Sequence, residues 1–197
     1  MGTSPSKSLL RVVAVVAAIH VADGHGYLAS PRSRNLLAAE ETNWASGTAD
    51  DPQPETCPQC LNLGGSRARC GVTGGRNYDA PRNALGGRMK NRPQAAYVQG
   101  QDVVLDVVLT AHHKGHFVFS GCPILRGEAP SQGCFDSNQL LFVEDLLHGA
   151  KRDPRHPERA YIAPFSGSNP SMEGVIRYSF KMRLPPGLVG DLVLIQW

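Results

Sequence analysis

The sequence predicts an all-β fold, an antiparallel β-sandwich with long loops. Three observations point there. Several short strand signals follow residue 95, turn residues separate them, and no long amphipathic helix appears anywhere.

Taken in order, the chain opens on a segment that reads as a secretion signal. Lys7 and Arg11 carry its positive charge, VVAVVAA (12–18) is its apolar run, and small Ala22 and Gly24 precede a cut before His25. The run is far short of the roughly 20 apolar residues of a membrane span. Residues 1–24 are therefore expected to be removed, leaving one exported domain, 25–197, expected to act as a secreted monomer. Without Lys7, Arg11 and Asp23, the net charge of +3 becomes about +2. That is too mild to suggest nucleic acid or an anionic membrane as partner.

From Tyr27 to Asn91 the chain is rich in Gly, Pro, Asn and Arg and shows little strand or helix period, so it reads as loop with one short helix over 35–42. AAYVQGQ then leads into DVVLDVVLTA, a β-branched run suited to a buried strand. AHHKGH is a tight connection turning at Lys114-Gly115, and GHFVFSGCPI is the next strand. NQLLFVEDLLHG fits strand or helix. GVIRYSFKMRLP alternates cleanly, with Ile176, Tyr178, Phe180 and Met182 on one face and Val175, Arg177, Ser179 and Lys181 on the other. GDLVLIQW is a last strand. Because the sequence stops inside that apolar strand and holds an odd number of cysteines, a C-terminal segment is expected to be missing.

Export favours disulfides among Cys57, Cys60, Cys70, Cys122 and Cys134. Proximity in sequence favours Cys122 with Cys134, and Cys70 with one of the CPQC pair. Zinc on Cys57, Cys60 and Cys70 with a fourth ligand is the alternative. CPQC lacks both the following His of a haem attachment and a thioredoxin-like context.

Cleavage before His25 would put an imidazole and a free α-amine on one residue. That amine titrates near 8, far below a lysine amine, so a metal displaces its proton at modest cost. One more histidine would complete three nitrogens, a set that favours Cu(II). The candidates are His112, His113, His116, His148 and His156. TAHHKGHF is the better source, since it follows a strong strand, whereas His148 and His156 lie in a polar segment that reads as surface. His112 and His116 have the spacing of a helical zinc pair, but no glutamate follows His112 and Gly115 opposes a helix.

HGYLASPRSRN, CPQCLNLGG, RCGVTGGRNYD, VVLDVVLTAHHKGHFVFSGCP and LVLIQW together resemble a lytic polysaccharide monooxygenase of the chitin-binding type-4-like branch, over nearly all of 25–197. The resemblance implies an immunoglobulin-like sandwich with one copper ion in a histidine brace on a flat face. It assigns the metal to His25 and His113, with His112 as second choice. Ala111 would sit beside the open axial position, His116 where relatives carry an aromatic, and Gln196 near the metal from the last strand. The axial Tyr or Phe would lie beyond Trp197, and Tyr178 is expected to be core. Tyr27, Pro31, Arg32 and Arg34 are expected on a polysaccharide-facing surface, with an ordinary loop as the alternative. The implied reaction draws electrons from an external small-molecule or protein donor. It uses O2 or H2O2 as co-substrate and oxidises C1 or C4 of a glycosidic linkage in chitin, cellulose or a related polymer. The rival readings are a non-catalytic carbohydrate-binding protein of the same fold and a copper-handling protein.

Overall fold

A computed structural model describes residues 25–40, 46–47, 52–53, 72–73, 76–77, 92–112, 115–125, 128–162 and 176–197. Its elements in chain order are β1 (His25–Ser30), α1 (Arg34–Glu40), β2 (Ser46–Gly47), β3 (Pro52–Gln53), β4 (Val72–Thr73), β5 (Arg76–Asn77), β6 (Asp102–Ala111), β7 (His116–Val118), β8 (Ser120–Pro123), α2 (Gln132–Asp136), β9 (Leu141–Asp145), β10 (Arg159–Tyr161), β11 (Ile176–Arg183) and β12 (Val193–Gln196). The expected signal segment, 1–24, and Cys57, Cys60 and Cys70 lie outside the described residues. Among the described residues no helix is long and apolar enough to cross a membrane.

β6 is the spine of the molecule. Its alternate residues Val103, Leu105, Val107 and Leu109 are buried in one core cluster, while Asp102 and Val104 face outward. β1 and β11 flank it and β9 lies beyond β11, giving an antiparallel sheet in the order β1-β6-β11-β9. β11 alternates as expected: Tyr178, Phe180 and Met182 are buried, and Arg177 and Arg183 are exposed.

The second layer is built from the ribbons β7–β10 and β8–β12. Phe117 of β7 joins the layers, its ring 5.6 Å from that of Phe180, 6.1 Å from Tyr178 and 5.5 Å from Trp197. Phe119, Leu140, Phe142 and Ala160 complete the buried centre. The fold is thus an antiparallel β-sandwich, as the sequence predicts.

Three local differences have physical causes, and the expected short helix starts one residue earlier. Residues 25–30, read from Tyr27 onward as loop, form strand β1. Its inward positions are Gly26 and Leu28, so a single large apolar residue carries the alternation and the period is faint. The 35–42 helix runs over Arg34–Glu40, and residues 41–42 lie outside the described set. The ambiguous 138–149 stretch becomes β9 followed by a turn. There the buried Asp145 carboxylate accepts the N–H groups of Leu147 and His148 at 3.1 Å and of Ala150 at 3.2 Å, which closes the strand with a turn. α2 had no periodic signal. It is one short turn capped by the Ser131 hydroxyl on the Cys134 N–H, and the Cys122–Cys134 disulfide fastens it to β8.

Candidate metal centre

His25 begins β1 and is partly buried, and its cross-strand partner is Ala111, the last residue of β6. The ladder is irregular just there, because the next pair is Gly26↔Leu109, leaving Thr110 as an extra residue on the β6 side. The close approach depends on Gly26. A Cβ on residue 26 would meet the Val108 carbonyl oxygen at 2.4 Å and the Leu109 Cδ2 at 2.9 Å. The first is backbone and cannot swing away, so only glycine lets β1 lie this close.

His112 follows Ala111 directly and is partly buried, its ring 6.4 Å from that of Tyr178. His113 and Lys114 lie outside the described residues. The connection then turns at Gly115, whose φ of 95° favours glycine and whose carbonyl accepts the Ile162 N–H at 3.0 Å. The chain re-enters as β7 at His116. Two paired strand ends therefore bring His25 and Ala111 together from distant parts of the sequence, and His112 follows Ala111 directly.

His116 is exposed and its ring lies 5.4 Å from Tyr161. Burial, and then the nearby Arg159 charge, hold its pKa below the usual imidazole value, which favours the neutral ring. His148 is engaged by the Arg177 carbonyl at 2.7 Å and lies 4.8 Å from the Tyr178 ring. His156 lies 3.6 Å from Glu158. Both are partly or largely exposed, in keeping with a surface reading. Tyr178 is 1% exposed, and burial, followed by the Asp145 charge, pushes its phenol up to about 12. It is a core residue, as its strand position predicts.

The remaining candidates spread outward. Tyr27 is partly exposed opposite Val108. Arg32 and Arg34 follow the far end of β1, and the strand alone spans about 16 Å from His25 to Ser30. Adjacency in sequence thus becomes separation in space. Arg32 is held by Glu40 at 2.8 Å and Gln94 at 3.0 Å. The Gln196 carboxamide accepts a hydrogen bond from Gln132 of α2 at 3.2 Å, so it joins the last strand to that helix.

Sequence reasoning gave Gly26 no steric role and left out Tyr161 and Asp153, whose hydroxyl–carboxylate bond is 3.2 Å. The adjacency of Gly26 to His25 was the available signal for the first. Nothing in the sequence pairs Tyr161 with His116.

Among the described residues, no three His, Cys, Asp or Glu side chains stand together as a metal site. A brace needs only two imidazoles, because its third nitrogen is a backbone amine.

Residues 25–197 match the family model described as lytic polysaccharide mono-oxygenase, cellulose-degrading. Among solved structures, the chain is similar to the AA15 lytic polysaccharide monooxygenase of Thermobia domestica in its Cu(I) state. The two are 22% identical with a TM-score of 0.53, over 88% of this chain and 81% of that one. A comparison with curated proteins finds no match. The family match over 25–197, together with a sandwich of the same fold, establishes that the chain belongs to the lytic polysaccharide monooxygenases, a family of copper enzymes acting on polysaccharide with a reductant.

Proposed function

We propose that export removes residues 1–24 and that the mature chain, beginning at His25, is a secreted copper-dependent monooxygenase that cleaves chitin or cellulose. The β1–β6 register carries this reading, since it sets His25 across from Ala111, two residues before His113. The donors are the α-amine and imidazole of His25 and the imidazole of His113. Three nitrogens without carboxylate or thiolate suit Cu(II). Bound copper supplies redox chemistry that activates O2 or H2O2 toward a C–H bond, fed by an external electron donor.

The chain itself supplies position. Gly26 lets the first strand close on β6, so the amine and ring of His25 arrive together. β6, buried along Val103, Leu105, Val107 and Leu109, is a rigid support that ends at Ala111, two residues before His113 in the sequence. Tyr27, beside His25 in β1, offers a partly exposed ring to the polymer, and Arg32 and Arg34 extend the contact surface away from the centre.

Product analysis tests this reading. Incubation of the copper-loaded mature protein with chitin or cellulose plus a reductant is expected to release aldonic acids or 4-keto sugars detectable by mass spectrometry. His25→Ala and copper removal are expected to abolish them. Polymer binding without oxidised products would instead identify a carbohydrate-binding protein of the same fold.

A further inference from the structure

β7 opens at His116, three residues past His113, so at most about 11 Å of chain separates the two. In the β7–β10 ribbon, His116 pairs directly with Tyr161. Their rings lie 5.4 Å apart and are tilted by 57°. The tyrosine is fixed from its polar end. Its hydroxyl donates to Asp153 Oδ2 at 3.2 Å and accepts from the Arg159 guanidinium. The other Asp153 oxygen takes the Arg155 N–H at 2.9 Å.

This arrangement has the features of a site for a neutral, hydroxyl-rich ring. Two adjacent rings, one exposed and one partly exposed, offer an apolar surface, and beside them stand fixed donors and acceptors. Asp153 lies 3.7 Å from Arg155 and Glu158 3.4 Å from Arg159, so these four charges offset one another.

Given the reading above that the chain acts on a polysaccharide, the geometry points to a saccharide subsite on the β7–β10 ribbon, at the end where β7 opens, three residues after His113 in the sequence. His116 and Tyr161 take the face of one sugar ring, and Asp153 and Arg159 hold the Tyr161 ring in the orientation that makes this contact. Asp153 and Arg159 are positioning residues.

Binding of the copper-loaded mature protein to crystalline chitin and to crystalline cellulose tests the subsite. His116→Ala is expected to weaken partition onto the bound polymer about five- to tenfold, and Asp153→Asn about threefold, with the Cu(II) spectrum retained. A purely structural cross-strand pair would lower the melting temperature without changing the affinity of the folded fraction. As a measurement independent of variants, the His116 ring signals in NMR are expected to shift and saturate on titration with a chitin or cellulose hexamer. Wild-type partition in His116→Ala, or His116 signals unmoved by either hexamer, overturns the subsite. Binding that weakens in these variants while the wild type yields no oxidised product upholds the subsite and counts only against the catalytic reading.

Discussion

At residue 26, the backbone of the neighbouring strand fills the space a side chain would take. Gly26→Ala drives a methyl to 2.4 Å from the Val108 carbonyl oxygen, so β1 must move off β6 and carry His25 with it. Overpacking of this kind costs about 1–3 kcal/mol. The expected outcome is Cu(II) affinity weaker by about tenfold or more, read by titration calorimetry, in a protein that still folds. Tyr178 gives the opposite case. Its buried hydroxyl has no hydrogen-bond partner among the described residues, and its burial raises the phenol pKa to about 12. Tyr178→Phe removes a desolvated polar group and keeps the ring packing, so the melting temperature is expected to hold or rise and the Cu(II) spectrum to stay unchanged. A fall of several degrees would show that the hydroxyl does have a partner. The core role of Tyr178 was legible in the sequence because its neighbours alternate. The steric role of Gly26 was not, since a clash with a partner strand depends on register.

Among the elements, β6 and β11 were the most legible. Val103, Leu105 and Val107 face Tyr178, Phe180 and Met182 across one ladder, so each strand's period reflects the same buried face. β1 was obscured because Gly26 stands at one of its inward positions, and α2 because its support is a Ser131 cap and a disulfide, neither of which creates a period. The outer face of the same ladder carries its own prediction. Arg183 donates to both Asp102 oxygens, at 2.7 and 3.1 Å, and holds that carboxyl below its usual pKa. Asp153 is likewise lowered, first by the Arg155 N–H. A carboxyl depressed in the folded state contributes stability that is fully present above its unfolded pKa, about 3.9, and lost as pH falls through the folded value. The melting temperature is therefore expected to fall as pH drops below about 4, with a shallower fall in Asp102→Asn, measured by thermal denaturation across pH 2–7. An identical slope in the variant would remove Asp102 from the account.

For the whole molecule, the sandwich brings the start of β1 to the end of β6, the longest strand among the described residues. Composition, alternation and turn residues made the architecture readable. The pairing of His25 with Ala111 was not, because strand pairing over such a separation in sequence leaves no local trace. Spacing left five histidines open as the second ligand, and the choice of His113 came from the resemblance. Likewise Arg32 and Arg34 are close to His25 in sequence but lie beyond a strand of about 16 Å. The proposed centre depends on one covalent event, exposure of the His25 amine, so electron paramagnetic resonance of the protein with one equivalent of Cu(II) tests it most directly. A chain beginning at His25 is expected to give a single tetragonal, nitrogen-rich signal, and a chain carrying one extra alanine before His25 is expected to lose it while melting at the same temperature. The same signal from both chains would contradict the account.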